Sequence, residues 1–158
     1  MAVGDRRERE RAARRRLIIT TARQLAEAEG WNAVTTRRLS SEVEYSQPVL
    51  YKHFASMEEL ADAVAMDGFG ELADVMRAAR TDTDAARHAL ARIAHAYVDF
   101  ARDNPAVYDA MFARATALRF AAEDTPPQLT SAFGELREAV VQVADDQDAD
   151  SLTEVFWA

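Results

Sequence analysis

Residues 35–60 read TTRRLSSEVEYSQPVLYKHFASMEEL, and their apolar spacing decides the fold. Leu39 and Val43 stand four apart on a first short helix, and Tyr45, Val49, Leu50 and Phe54 return at helical spacing on a second. Two helices of about two turns each cannot bury a core alone. Upstream, Leu17, Ile18, Ala22 and Leu25 supply a third apolar stripe at the same period. Ser46 is placed to cap the second short helix, and Pro48 fits its first turn, where a missing N–H is no loss. Ser56-Met57-Glu58-Glu59 is a capping box that opens the next helix. Two short helices joined by a tight turn, framed by longer ones, form a helix-turn-helix.

The buried faces use up the aliphatic residues. Gln47, Val49 at the edge, Tyr51, Lys52 and His53 are left to project from the second short helix, and Thr35, Thr36 and Arg37 from the start of the first. A glutamine addresses an adenine edge at two atoms and a valine touches a thymine methyl. Tyr, Lys, His and Thr bond phosphate oxygens. Taken singly, Tyr51 is equally a packing residue, and Lys52 and His53 equally ordinary solvated positions. Together at this spacing they predict contact with duplex DNA.

The run Gly30-Trp31-Asn32-Ala33-Val34-Thr35-Thr36-Arg37, then Leu39, Ser46-Gln47-Pro48-Val49-Leu50-Tyr51-Lys52-His53-Phe54 and Glu58-Glu59-Leu60, resembles the DNA-binding domain of TetR/AcrR-type transcriptional regulators. The resemblance covers about the first third of the chain. It implies an all-helical homodimer whose three-helix head binds operator DNA and whose C-terminal helices enclose an effector. Thr36 and Arg37 would then head the second helix, with Gln47, Pro48, Val49, Tyr51, Lys52 and His53 forming the recognition surface. Three positions depart from that pattern. The usual turn glycine is Glu44, where a positive φ is expected and a Cβ is poorly tolerated. The small aliphatic after it is Tyr45, and the lysine often found before the Glu-Glu pair is Met57. Loss of that one phosphate contact would lower the salt slope by about one unit.

Averaged over the chain, the formal net charge of −8 argues against nucleic acid. Split, it does not. Residues 1–57 carry eleven Arg and Lys against seven Asp and Glu, a net of +4, which leaves −12 on the remaining 101 residues. A basic head and an acidic body orient the molecule toward DNA. The cluster Arg6, Arg7, Arg9, Arg11 and Arg14 to Arg16 suits either a phosphate-tracking or minor-groove arm or a solvated tail, because Asp5, Glu8 and Glu10 dilute it. The absence of cysteine excludes disulfides and thiolate chemistry. Leu17-Ile18-Ile19 is too short for a signal-peptide core and no window reaches membrane-spanning length, so a cytoplasmic protein with no membrane partner is expected.

We expect residues 1–55 to be the DNA-binding domain with its Arg-rich arm, and residues 56–158 a helical effector-binding and dimerisation domain. A long helix should run from Ser56 through Leu60, Val64, Met66, Phe69, Leu72, Val75 and Met76 to about Arg80, with Gly68 and Gly70 inviting a bend. A second carries Leu90, Ile93, Ala94, Tyr97, Val98 and Ala101 up to Asn104-Pro105, a shorter one Val107, Tyr108, Met111 and Phe112, and a last one Leu129, Phe133, Leu136, Val140 and Val143. Met66, Phe69, Tyr97, Phe100, Tyr108, Met111, Phe112 and Phe133, with Phe120, are candidates to line an apolar ligand pocket, each with a plain core role as its alternative. Tyr97 and Tyr108 are the polar handles. His88, His95 and Asp99 share a helix face, but without a further ligand they favour a pocket or surface role over a metal site; no cofactor is expected.

Ser151-Leu152-Thr153-Glu154 is a fresh capping box only a few residues before Ala158. In the resembled family two closing helices form the dimer interface at this end. The chain is therefore expected to be shortened there, with Phe156 and Trp157 at an exposed or re-paired surface. The function expected is a sequence-specific regulator, a repressor released from a palindromic operator by a small apolar ligand. The alternative is a helical protein-interaction or ligand-sensing module whose head no longer binds DNA. An enzyme is not expected, because no acid, base and nucleophile cluster.

Overall fold

The computed structural model describes residues 2–81, 86–114, 124–144 and 148–157, and Phe120 lies outside them. Among the described residues all regular structure is helical: α1 (Ala2–Glu29), α2 (Thr36–Val43), α3 (Gln47–His53), α4 (Met57–Thr81), α5 (Ala86–Asp103), α6 (Pro105–Asp109), α7 (Pro127–Val141) and α8 (Ala149–Trp157). A short 3-10 turn, Trp31–Ala33, follows α1, and a π-turn, Ala110–Arg114, follows α6. The chain packs as two compact units, one of Met1–Ala65 with Ala106–Ala115, the other of Met66–Pro105 with Thr116–Ala158. Helix α4 runs unbroken through Ala65 and Met66.

The first unit is the three-helix head with an added segment. Ile18, Ile19, Ala22, Leu25 and Ala26 of α1 are buried, as are Leu39 and Val43 of α2, Leu50 and Phe54 at α3, and Leu60 and Val64 at the start of α4. Leu17, expected inside, is 43% exposed. The buried stripe runs from Ile18 through Ala22 to Leu25, and Leu17 falls one position to its side. Helix α1 stops at Gly30, whose φ of 84° and ψ of 163° are open to glycine and poorly tolerated by a residue with a Cβ. The segment after Pro105 is tied into this unit by side chains far away in sequence. The Glu27 carboxylate accepts the amides of Ala106 (3.1 Å) and Val107 (3.0 Å), filling the orphan donors at the start of α6. Trp31 Nε1 donates to the Ala106 carbonyl at 2.8 Å, and the Arg114 guanidinium lies 5.7 Å from the Trp31 ring centroid.

The second unit is built on Phe69, Leu72 and Met76 of α4, Ile93 and Phe100 of α5, and Leu129, Ala132, Leu136 and Val140 of α7. Its stripes are narrower than the apolar pattern suggests. Val75 (38%) and Val98 (51%) are exposed, as is Ala94, because the buried line on α5 passes through Ala89, Ile93 and Phe100. Gly68 and Gly70 do not interrupt α4. A Cβ on Gly70 would meet only Gln128 Cγ at 3.7 Å, an ordinary contact, so no close approach demands glycine there. Glu135 holds Arg77 (2.8 Å) and Arg80 (3.0 Å), joining α4 to α7.

The last helix starts earlier than expected. Asp148 is its cap: Oδ1 accepts from the amides of Asp150 (3.1 Å) and Ser151 (3.4 Å), and Oδ2 accepts from the Ser151 hydroxyl at 2.7 Å. These bonds pull the Asp148 carboxyl below its ordinary value. With the helix already under way, Thr153 turns inward and donates to the Ala149 carbonyl at 2.6 Å. Trp157 is not left at the surface. It is half-buried, stacked 6.2 Å from Phe69 and edge-on 5.8 Å from Phe133, while Val155 (75%) and Phe156 (58%) are exposed.

Candidate nucleic-acid interface

Helix α2 begins with Thr35, whose hydroxyl accepts the Arg38 amide at 3.2 Å, leaving Thr36 and Arg37 in the first turn. The adjacent arginines then part company. Arg38 is held between Glu29 and Glu42, each at 2.9 Å, whereas Arg37 is exposed with no carboxylate partner among the described residues. The turn after α2 places Glu44 at φ 56°, ψ 33°, the left-handed conformation its position predicted. The Ser40 hydroxyl closes the turn by donating to the Tyr45 carbonyl.

Ser46 stands at the cap of α3, yet its side chain makes no capping bond. Pro48 removes one of the two amides that a capping hydroxyl could address. The Ser46 carbonyl does the work instead, accepting from Val49 (3.0 Å) and Leu50 (3.2 Å). Within α3, Leu50 points inward, Val49 and His53 are half-buried, and Gln47, Pro48, Tyr51 and Lys52 are exposed. Tyr51, 54% exposed, meets Thr36 through their hydroxyls at 3.4 Å, so these two predicted contact residues share one surface across the turn.

The end of α3 is fixed by α1. Arg15 donates from Nη1 to the His53 carbonyl at 2.7 Å, and its guanidinium covers the Phe54 ring at 4.2 Å. At the Ser56 capping box the serine accepts the Glu59 amide at 3.1 Å, and Glu59 reaches back to the Ala55 amide at 2.8 Å. Lys52 and His53 face Arg7, Glu10, Arg11 and Arg14 across a cleft of about 510 Å³. His53 Nδ1 is buried without a hydrogen-bond partner in that setting. Burial first, then the positive charges of Arg11, Arg15 and Arg14, push its imidazole below the ordinary histidine value. The stretch that carries the seven arginines is helical, and its spacing of four and three residues places Arg7, Arg11 and Arg14 on one face.

The eight ligand-pocket candidates are divided between the units. Met66, Phe69, Tyr97, Phe100 and Phe133 belong to the second; Tyr108, Met111 and Phe112 belong to the first. Phe69 and Met111 are core residues of their units, Phe112 is 36% exposed, and Tyr108 and Phe112 pack at 4.7 Å. His88 and His95 are exposed, and Asp99 pairs with Arg102 at 3.4 Å. Among the described residues no three metal-binding side chains gather, and no helix is long and apolar enough to cross a membrane.

The comparisons with known proteins agree with this geometry. The family described as "Bacterial regulatory proteins, tetR family" matches residues 18–64, and "Tetracyclin repressor-like, C-terminal domain" matches residues 90–158. The "Uncharacterized HTH-type transcriptional regulator YobS" of Bacillus subtilis (strain 168) is 34% identical over 95 residues, which is 60% of this chain and 49% of that protein. This chain therefore spans about half the length of that curated relative. Among solved structures, a protein with unknown function from Rhodococcus sp. RHA1 superposes with a TM-score of 0.72 at 26% identity, covering 92% of this chain and 77% of that one. The TetR family transcriptional regulator PfmR from Thermus thermophilus superposes with a TM-score of 0.62 over 87% of this chain and 79% of its own. At 17% identity that likeness speaks for the fold alone. Matches to both the head and the body, together covering well over half of the sequence, and a helix-turn-helix with the polar face of α3 exposed lead to one conclusion: the chain belongs to the TetR family of bacterial regulatory proteins and carries a helix-turn-helix head.

Proposed function

We propose that the protein is a repressor that binds a palindromic operator as a homodimer and is released by a small apolar effector. The observation that carries this reading is the surface of α3 and the start of α2. There Gln47, Tyr51, Lys52 and Arg37 are exposed, while their neighbour Leu50 is buried in the head core and Arg38 is paired with Glu29 and Glu42 at the surface. In this reading Gln47 addresses an adenine edge and Val49 a thymine methyl. Thr35, Thr36, Arg37, Tyr51, Lys52 and His53 hold phosphates, with Pro48 shaping the first turn. Two heads would place two copies of α3 about 34–36 Å apart in successive major grooves, in the cytoplasm, where bacterial operators are found.

The effector would occupy the second unit, for which Met66, Phe69, Tyr97, Phe100 and Phe133 are the lining candidates. Within the head unit, Glu27 and Trp31 tie down Ala106 and Val107, the residues that follow Pro105 in sequence. Tyr108, Met111 and Phe112 would report effector occupancy along this segment. A ligand that favours one spacing of the heads over another shifts the population toward it and so changes operator affinity.

The test is selection of bound duplexes from a random library with this chain and with a version extended at its C-terminus. A palindrome with half-sites one helical turn apart is expected. On that duplex Arg37→Ala and Tyr51→Phe should weaken binding at every sequence, and Gln47→Ala should relax preference at one or two base pairs. No enrichment with either chain would remove the repressor reading. Equal losses on all sequences for Gln47→Ala would remove its role as a base reader.

A further inference from the structure

We propose that the cleft between α1 and α3 is a second duplex-contact site, taking backbone phosphates outside the bases that α3 addresses, and that His53 takes up a proton when it fills. The inference rests on the reading of the head as a duplex binder and adds to it a place, a set of residues and a linkage to pH.

Several arginines of α1 are already held by other groups of the head. Arg6 is bound to Glu10 at 2.8 Å, Arg9 Nε donates to the Asp5 carbonyl at 3.1 Å, and Arg15 is fixed on His53 and Phe54. Arg7, Arg11 and Arg14 recur on one face of α1 and have no carboxylate partner among the described residues; neither has Lys52, which faces them. The one acid lining the cleft, Glu10, has Arg6 as its partner at the surface. Four unpaired positive charges around one concavity repel each other until an anion enters. The repetition of cations along a helix face suits a polyanion with regularly spaced charges, and the adjoining α3 carries the residues that meet the same polymer in its groove.

His53 lies where these charges converge. Arg11, Arg14 and Arg15 from α1 act on it directly, Arg7 and Glu10 complete the opposite wall, and Lys52 precedes it on α3. In the free protein burial and the arginines favour the neutral ring. Phosphates in the cleft offset the arginines' field and favour the imidazolium. The sign follows: the histidine's value in the complex lies above its value in the free head. The added affinity is therefore fully present below the free value and is lost as pH rises through the value in the complex.

The experiment titrates a labelled duplex from the library selection, and a mixed-sequence duplex, with the 158-residue chain over a range of salt and pH. Arg7→Ala/Arg11→Ala changes two exposed side chains and should lower the slope of log affinity against log salt by about two units for each head bound. Arg102→Ala, in the second unit, should leave that slope unchanged. The unaltered chain should lose affinity as pH rises by at most about tenfold per unit for each head bound, the limit for one proton per head. His53→Gln should flatten this dependence. A salt slope unmoved by the double substitution overturns the site, as does a double variant that loses binding to anionic vesicles but not to DNA. A pH dependence that survives His53→Gln overturns the proton linkage. If the unaltered chain binds no duplex at all, this site and the repressor reading fall together; if it binds and the variants behave like it, this site alone falls.

Discussion

The two units treat their cations in opposite ways. In the second unit Arg77 is shared by Asp74 and Glu135, Arg80 is held by Glu135, Arg102 by Asp99 and Arg137 by Asp150. These arginines are structural fittings on an acidic surface. In the head Arg7, Arg11, Arg14, Arg37 and Lys52 have no such partner among the described residues, although Glu29 and Glu42 stand close enough to hold Arg38. Net charge alone separates the units only coarsely. The more telling quantity is how many positive groups have no carboxylate partner, because those meet phosphates without first giving up an internal ion pair.

The contrast extends to packing, and the largest expected effect lies there. The head core closes with aliphatic residues around Leu39, whereas the second unit relies on Phe69 beneath Trp157. Phe69→Ala should cost about 3–5 kcal/mol and Leu39→Ala about 2–5 kcal/mol in urea unfolding. Phe69→Ala should spare duplex affinity in the fraction that remains folded, and Leu39→Ala should not. If both variants lost DNA binding in proportion to stability, the two units would be one cooperative block. A middle-sized effect tests the internal pairing. Glu135 is 12% exposed at its side chain and Arg80 23%, so Glu135→Ala strands a half-buried guanidinium and should cost about 1–3 kcal/mol with no change in salt slope. A changed slope would show that the arginines of the second unit also reach DNA. The smallest effect is a gain. Glu44→Gly relieves a left-handed residue that carries a Cβ and should stabilise the head by about 1 kcal/mol while leaving the selected duplex sequence unchanged. Altered sequence preference would mean that the turn tunes the placement of α3.

Much of the fold is legible because it rests on local pattern. The helix-turn-helix, the left-handed Glu44, the capping serine before α4 and the end of α5 at Asn104-Pro105 all follow from neighbours in the sequence. Leu17, Val75, Ala94 and Val98 defeat that logic, because an apolar residue beside a buried stripe looks the same in sequence as one within it. Ser46 and Ser151 have the right chemistry for caps. The first is pre-empted by its own carbonyl next to a proline, and the second by an aspartate three residues earlier. Trp157 is beyond the reach of pattern because its partners, Phe69 and Phe133, are distant in the chain. The same holds for the candidate site. The residues on α2 and α3 can be named from one short motif, but sorting the arginines of α1 into engaged and unengaged needs the positions of Glu10, His53 and Phe54.

Helix α1 reaches from Glu29 back to Ala2 without a break. Its outer part grows from a turn already anchored at Ile18 and Ala22, so no new nucleus is required. A tail that ordered only on contact would lose about 1–2 kcal/mol of backbone freedom per residue at that moment. This one has lost it before any partner arrives. Rigidity also turns the helix into a gauge. Arg7 and Arg14 are separated along its axis by about 10 Å, roughly three steps of a duplex strand. A regular double helix can match that interval everywhere along its length, and a coiled single strand can match it only by straightening.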